Sequence, residues 1–144
     1  MAMSAGSGGS GFLVTAVGRV ESVLKERSDA PRQADEGAPA AWLVFEPALA
    51  EAAADLAVDD DLMLLTWLDQ ANRDVLRTRP RDDPQRPTVG VFSTRSPDRP
   101  NPIGLHRVRV VTVDGLRVEV DHLEALDGTP ILDVKPALGA VEER

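Results

Sequence analysis

The feature that most constrains this chain is a pair of alternating segments joined by an Asp-Gly dipeptide. Residues 105–113 read LHRVRVVTV, residues 114–115 are Asp-Gly, and residues 116–120 read LRVEV. Successive side chains of a β-strand point to opposite faces, so the valines share one face and the arginines the other. Asp-Gly between two such segments is the strongest short-range signal for a β-hairpin, with positive φ expected at both turn residues. We therefore expect an antiparallel hairpin here.

Other segments predict further short strands and one helix. Strands are expected at residues 12–20, 42–45, 62–68, 74–77, 89–92 and 131–134. Pro47 opens an Ala-rich stretch to residue 57 that favours a helix. The pattern predicts a mainly β fold, an antiparallel barrel with one or two short helices. We expect a flexible leader at 1–11, one domain at 12–138 and a tail at 139–144.

Composition excludes several kinds of chemistry. The 144 residues include no Cys and two His, which removes disulfides, thiol nucleophiles and thiolate zinc sites and leaves little for a His-based metal centre. The longest apolar run is far shorter than the ~20 residues that span a bilayer, and the start lacks the regions of a signal peptide. We therefore expect a soluble, cytoplasmic protein without a metal.

Charge is unevenly distributed along the chain. The formal net charge is −8, but the segment from Arg73 to Arg109 holds nine Arg and four Asp, a local net charge of +5. Salt screens charges beyond a Debye length of about 8 Å, so distant acidic groups do not cancel a local patch. The segment is interpreted either as a basic face for nucleic acid or as a mixed solvated surface.

A Pro-rich loop follows the strand expected near residue 90. Six of the eleven prolines fall between Pro80 and Pro102, and residues 90–105 read GVFSTRSPDRPNPIGL. Each Pro fixes φ and removes a backbone donor, which leaves a stiff loop with an excess of carbonyl groups. Such a loop can hold a small ligand in one pose. The alternative is a rigid structural loop tied down by Arg–Asp pairs.

A second polar turn follows the hairpin, where residues 125–135 read ALDGTPILDVK. Asp127 and Gly128 predict a turn in which Thr129 bonds locally. Asp133 and Lys135 share one face of the last strand, where an exposed ion pair would contribute at most about 1 kcal/mol.

Three motifs together resemble the TsaA-like, or TrmO, family. They are APRQ at 30–33, the loop at 90–105, and LDGTPILDVKP at 126–136, and the resemblance covers about residues 13–138. It implies a methyltransferase that uses S-adenosylmethionine and has a single-sheet β-barrel rather than a Rossmann fold. Members methylate the exocyclic amine of threonylcarbamoyl-adenosine at position 37 of certain tRNAs. They are usually homodimers, with the cofactor near the subunit interface.

The resemblance also implies which residues contact the cofactor. Carbonyl oxygens of the Pro-rich loop suit a positively charged sulfonium, and backbone groups of the second polar turn suit an adenine edge. The implied contacts are Arg32, Gln33, Phe92, Ser93, Thr94, Arg95, Arg99, Pro100, Asn101, Pro102, Ile103, Gly104, Leu105, Asp127, Gly128 and Thr129.

Methyl transfer to an amine also requires that a proton leaves. Asp127 and Asp133 are the nearest proton acceptors by motif, with Lys135 anchoring Asp133 or meeting a phosphate; a water is an equal alternative, and Asp133 and Lys135 have a structural interpretation too. Hypothesised tRNA contacts are Arg73, Arg77, Arg79, Arg107 and Arg109, for which a solvated face is the alternative.

The two histidines and the acceptor remain to be placed. His106 and His122 are interpreted as ordinary surface histidines. Ala137 stands where many members have Tyr, which alters the acceptor side. A methyltransferase for a small metabolite and a non-catalytic S-adenosylmethionine-binding module are therefore kept as alternatives.

Overall fold

The computed structural model describes residues 10–30, 37–80 and 83–139. Its strands are β1 (Gly18–Glu21), β2 (Ala41–Phe45), β3 (Asp61–Trp67), β4 (Arg77–Thr78), β5 (Val89–Gly90), β6 (Ile103–Asp114), β7 (Arg117–Val120) and β8 (Pro130–Pro136). Within those ranges there is one α-helix, α1 (Ala50–Ala53), and there are short 3-10 turns at Arg27–Asp29, Pro47–Leu49 and Val91–Ser93.

Six strands form one antiparallel sheet. Their order is β1-β2-β7-β6-β3-β8, and β8 pairs with β1, so that the sheet closes into a barrel. The expected mainly β, antiparallel architecture with a short helix is confirmed. Strands β4 and β5 form a separate two-stranded ribbon. No helix among the described residues is long and apolar enough to cross a membrane.

The core follows from the alternation along the strands. In β3, Leu62, Leu64 and Thr66 are buried, while Met63 and the other odd-numbered side chains are only half-buried. In β6 the even-numbered residues 104–110 are buried and the odd-numbered ones are exposed. The barrel interior therefore takes one face of each strand, and the opposite face forms the outer wall.

The hairpin between β6 and β7 is present, but its turn differs from the expectation. Asp114 pairs with Arg117, so the two loop residues are Gly115 and Leu116. Gly115 has φ +60°, whereas Asp114 does not have positive φ. Gly thus occupies the first central position, as a II′ turn requires, and the prediction of two positive φ angles at 114–115 is wrong.

The first strand begins later than predicted. Pairing starts at Val17, whose N–H donates to the Ile131 carbonyl at 2.8 Å, and Gly18 is opposite Phe45. Beyond Phe45 the chain turns away at Pro47, which has no N–H to donate. Residues 12–16 therefore lack a partner on that side, and Phe12 is 77% exposed.

Three other predicted elements are shortened or shifted. The helix expected at 47–57 is a 3-10 turn followed by the four residues of α1, which bury no side chain, so packing does not extend it. The strands expected at 74–77 and 89–92 are the short β4 and β5, and the chain continues from β5 into the 3-10 turn Val91–Ser93. The last strand is longer than the predicted 131–134.

Strand direction collects the predicted motifs at one end of the barrel. Because neighbours are antiparallel, β1, β3 and β7 run one way and β2, β6 and β8 the other. The connections at 22–40, 68–102 and 121–129 therefore emerge at the same end. We call this the motif end and these segments the first, second and third connection.

Candidate functional site

Side chains link the three connections at the motif end. From the first connection, Arg27 lies 3.3 Å from the Asp98 carboxylate and donates to the Gln70 carbonyl at 3.4 Å, both in the second connection. Lys25, also in the first connection, lies 2.9 Å from the Asp127 carboxylate in the third. The topology thus brings the motifs together, and exposed ion pairs connect them.

Arg99 braces the Pro-rich loop from within. Its guanidinium donates to the carbonyl of Val91 at 2.6 Å, to that of Ser96 at 2.9 Å and to that of Thr94. The carbonyl groups expected to face a sulfonium are therefore occupied in part by this side chain. The Arg99 guanidinium is itself committed to the loop.

Arg73 braces the other end of the same loop. It donates to the Pro100 carbonyl at 2.7 Å and to the Asn101 side-chain oxygen at 2.9 Å. Its guanidinium also lies 5.1 Å from the ring centre of Trp67, a cation–π distance. The structure therefore places this hypothesised tRNA contact in the support of the predicted cofactor loop.

Between these braces, several predicted cofactor residues are exposed. Phe92 is 85% exposed, and Ser93 and Arg95 are exposed as well. Among the described residues, none forms a hydrogen bond or ion pair with the Arg95 guanidinium. After the loop, Ile103 and Leu105 are 45% and 42% exposed on the outer wall, whereas Pro102 and Gly104 are buried. The predicted set therefore divides into exposed groups and supporting groups.

The third connection forms the turn predicted at 127–129. Gly128 has φ +83°, and the Thr129 hydroxyl donates to the Leu126 carbonyl at 2.6 Å, as expected for a local bond. The N–H groups of Asp127 and Gly128 donate to the carbonyls of Leu24 and Val20, both at 2.7 Å. These donors are used within the fold and are not free to read an adenine edge.

The Asp127 carboxylate accepts a hydrogen bond at each oxygen. One oxygen takes the Ser22 backbone N–H at 3.0 Å, and the other takes the Lys25 ammonium. The backbone bond first, and then Lys25, lower the pKa of Asp127 below its ordinary value of 3.8. A carboxylate with a lowered pKa is a weaker base, so this geometry suits an anchor better than a proton acceptor.

Asp133 and Lys135 lie on the outer wall of β8, not in the loops. Their side chains are 3.2 Å apart and about half or more exposed. Asp133 is in register with Leu65 of β3, and Leu65 in turn with Leu105 of β6. The pair therefore flanks the same outer wall that carries the exposed end of the predicted cofactor segment.

The other hypothesised tRNA contacts fall into two groups. Arg77 and Arg79 lie in and beside the β4–β5 ribbon and donate to ribbon carbonyls at 2.8 and 2.6 Å. Arg107 and Arg109 lie on the barrel wall at 3.9 and 3.3 Å from the Asp61 carboxylate. In the described part of the chain, no contact joins the two groups.

Arg32 and Gln33 lie outside the described residues. The segment that contains them is flanked by Ala30, whose N–H donates to the Arg27 carbonyl, and by Pro39, whose carbonyl accepts from the Leu123 N–H at 2.9 Å. Both flanks belong to the motif end.

One interior group was not anticipated as such. His106 is 5% exposed, so its interpretation as a surface histidine is wrong, whereas His122 is exposed as expected. The signal was present in the sequence, because His106 has the parity of Val108 and Val110 in the alternating strand. His106 Nδ1 lies 2.5 Å from Glu124, a residue that no motif singled out.

A surface pocket of about 320 Å³ lies at the opposite end of the barrel, between α1 and the ends of β3 and β8. Its lining includes Asp55, Asp60 and Asp61 but, of the predicted site residues, only Lys135. The predicted residues thus concentrate away from this pocket.

Comparison with protein families matches residues 19–142 to the tRNA-methyltransferase O N-terminal domain. The chain belongs to this family. The match spans the barrel and all three connections, which agrees with the resemblance expected from the motifs.

Relatives in other organisms carry names that refer to the cofactor. A probable S-adenosyl-L-methionine-binding protein, VirR, of Rhizobium radiobacter is 41% identical over 120 residues, which are 83% of this chain and 67% of that protein. A probable S-adenosyl-L-methionine-binding protein of Methanothermobacter thermautotrophicus is 42% identical over 120 residues, 83% of this chain and 85% of that one. These names agree with the expected cofactor.

The fold is similar to that of solved TrmO structures. The crystal structure of TrmO from Pseudomonas aeruginosa superposes with a TM-score of 0.69 at 30% identity, over 87% of this chain and 55% of that chain. This chain therefore spans little more than half the length of that TrmO.

Proposed function

We propose that this chain is an S-adenosylmethionine-dependent methyltransferase that modifies the exocyclic amine of threonylcarbamoyl-adenosine at position 37 of tRNA. One observation carries the proposal. The three motif connections of a TrmO-family domain meet at one end of the barrel, where Arg95 has no partner among the described residues and Phe92 is exposed. On this function we expect the protein to work in the cytoplasm, where it meets tRNA.

The residues present fit the cofactor. S-adenosylmethionine combines a carboxylate, a sulfonium and an adenine, so it needs a cation, an apolar surface and polar neighbours. Arg95 supplies the cation for the carboxylate, while Phe92 and Leu105 supply exposed apolar surface for the adenine. Asn101, held by Arg73 through its side-chain oxygen, keeps its amide nitrogen available as a donor.

The division of labour follows from these contacts. The cofactor supplies an activated methyl group on sulfur, and the chain supplies orientation and the exclusion of water. Arg73 and Arg99 hold the loop in one conformation, which lowers the cost of ordering it when the cofactor binds. Asp127 holds the third connection against the first.

We assign proton acceptance to Asp133 rather than Asp127. Asp133 is exposed beside the outer wall, and Lys135 at 3.2 Å orients it. Asp133→Asn is expected to lower kcat by about 10²-fold, the lower end for general base catalysis, with an unchanged Kd for the cofactor. An unchanged kcat would instead indicate proton loss to water.

The outer wall is also the surface that we assign to a second copy of the chain. Ile103 and Leu105 of β6 are in register with Trp67 and Leu65 of β3, and Met63 continues the row. These side chains are half-buried or exposed and form a contiguous apolar strip. Met63→Glu is expected to convert a dimer into a monomer in sedimentation velocity. A wild-type monomer at micromolar concentration would contradict this assignment.

Methyl transfer itself is tested with two matched tRNA preparations. Transcripts with and without the threonylcarbamoyl group are incubated with excess protein and S-adenosylmethionine carrying an isotopically labelled methyl group. Mass spectrometry of the digested nucleosides should show the label on the modified adenosine only. Absence of label from the modified tRNA in a single turnover would overturn the tRNA assignment.

A small-molecule acceptor is the second candidate. It is favoured by the net charge of −8 and by the arginines of the ribbon and the wall, which already contact carbonyls or Asp61. Salt-insensitive transfer to a small amine, without tRNA binding, would establish it. Cofactor binding without transfer to any acceptor would favour a non-catalytic binding module.

A further inference from the structure

A buried polar network lies inside the barrel near the motif end. His106, which is 5% exposed, is 2.8 Å from the Thr66 hydroxyl through Nε2 and 2.5 Å from the Glu124 carboxylate through Nδ1. An ionised carboxylate has only acceptors, so Nδ1 carries the proton and donates it to Glu124. We call Thr66, His106 and Glu124 the inner network.

The inner network is not fully satisfied. The second oxygen of Glu124, Oε2, is buried and has no hydrogen-bond partner within the described residues. An unsatisfied buried acceptor costs about 1–3 kcal/mol, so its presence in the barrel calls for a compensating role. The apolar core that stabilises the barrel is formed by other residues.

The backbone of Gly104 lies directly against this network. Gly104 is in register with Thr66 across the β3–β6 pair. A Cβ at residue 104 would collide with the Thr66 hydroxyl and lie 2.7 Å from His106 Nε2. Residues 99–102 of the Pro-rich loop immediately precede this point. The network therefore determines how closely the start of β6 approaches β3.

The network also spans two of the connections. His106 is two residues beyond Gly104 on the strand that follows the second connection, and Glu124 is in the third connection, three residues before Asp127. The other links at this end are exposed ion pairs, with Lys25 and Arg27 65% and 43% exposed, and salt screens such pairs. A buried link is screened much less, so it holds its geometry more firmly.

We propose that Thr66, His106 and Glu124 are positioning residues that set the spacing between the Pro-rich loop and the turn at 127–129, and thereby the affinity for S-adenosylmethionine. This inference rests on the proposed function. A fixed spacing removes an ordering cost that binding would otherwise pay. When the network is broken, the barrel persists but cofactor binding weakens.

Calorimetry with S-adenosylmethionine measures this effect. Thr66→Val and Glu124→Gln keep side-chain volume while removing a hydroxyl or a charge, and both are expected to raise Kd by about tenfold, within the range that side-chain ordering costs produce. Thr66→Ser keeps the hydroxyl and should restore near-wild-type Kd. Val118→Ala, a cavity in β7 within the apolar core, should lower Tm without changing Kd.

Nuclear magnetic resonance supplies a second readout. The chain has two histidines, so ¹⁵N-histidine labelling gives two imidazoles. His122→Asn assigns them, because Asn tolerates the φ of 42° at that position. The His106 Nδ1–H signal is expected far downfield in the wild type, and it should shift when S-adenosylmethionine is added. In Glu124→Gln the signal should move upfield.

The outcomes separate this inference from the proposed function. A wild-type protein that binds S-adenosylmethionine, with variants that bind equally well and a His106 signal that does not respond, would show a merely structural network and overturn the inference alone. A wild-type protein that binds no S-adenosylmethionine would overturn both. Variants that fail to fold leave the wild-type titration of the His106 signal as the deciding result.

Discussion

Arg99 donates from its guanidinium to the carbonyl oxygen of Val91 at 2.6 Å. The same guanidinium reaches the Thr94 carbonyl, so the backbone on both sides of the exposed Phe92 is tied to a single side chain. A loop that would otherwise present an unsupported aromatic residue is thus stiffened from within.

Removal of that brace should loosen the loop. Arg99→Ala loses several charge-assisted hydrogen bonds, and we expect the free energy of unfolding to fall by about 2 kcal/mol, a Tm decrease of about 4–8 °C. Arg99→Lys, which has a point charge instead of a fork, should fall between Ala and wild type. Hydrogen exchange at 91–96 should accelerate in the same order. Unchanged exchange in Arg99→Ala would contradict the brace.

Arg95 should affect binding but not stability. It is exposed and forms no hydrogen bond or ion pair with the described residues, so Arg95→Ala should change the free energy of unfolding by less than about 0.5 kcal/mol. The Kd for S-adenosylmethionine should rise by about tenfold or more through loss of a charged pair.

A ligand without the amino-acid end checks that assignment. Methylthioadenosine has no carboxylate, so its affinity should be the same for the wild type and Arg95→Ala. Arg86→Ala, another exposed arginine, is the matched control and should leave both affinities unchanged. An equal loss for both ligands would mean that Arg95 does not contact the carboxylate.

Asp127 should make stability depend on acidic pH. Its pKa is lowered in the folded protein, so it contributes stability above its ordinary value of 3.8 and loses that contribution as pH falls further. Asp127→Asn should lower stability at pH 7 by about 1 kcal/mol, because the carboxylate is partly exposed. In thermal unfolding the difference from wild type should shrink below this pH. A difference that stays constant to pH 2 would exclude the ionised carboxylate as its cause.

Gly104 should tolerate no side chain. Gly104→Ala places a methyl group against the Thr66 hydroxyl and His106 Nε2, and we expect a loss of about 1–3 kcal/mol from overpacking. Gly90→Ala is the matched control, since a Cβ there meets nothing within 4 Å and φ is −60°. That variant should be neutral or slightly more stable. Thermal unfolding of both variants decides, and equal Tm values would contradict the close packing.

The two arginine groups should differ toward tRNA. Arg77→Ala and Arg79→Ala in the ribbon should each reduce the slope of log binding constant against log salt by about 1. Arg107→Ala should not, because Asp61 already lies beside this arginine on the barrel wall. Fluorescence titrations of tRNA over a salt series measure the slopes. A larger effect at Arg107 would transfer the nucleic-acid surface to the barrel wall.

Local patterns were reliable where one strand face is buried. The alternation in 105–113 predicted the hairpin and the faces of Val108 and Val110, because a period of two leaves no other register that buries the valines. The helix at 47–57 was overestimated, since alanine favours a helix locally but offers little surface to bury. Arg99 could be assigned a loop in the sequence, but not its partners, because those carbonyls approach it only once the loop is closed.

By itself the sequence determined the β-rich architecture, the hairpin and the three motifs, since these depend on residue types within a few positions of one another. Only the tertiary structure decided that the motifs share one end of the barrel, because that depends on which strands run in parallel directions. It also moved His106 from the surface to the interior beside Thr66 and Glu124, residues 40 and 18 positions away. Contacts at such separations arise from strand pairing around a closed sheet, which no local pattern specifies.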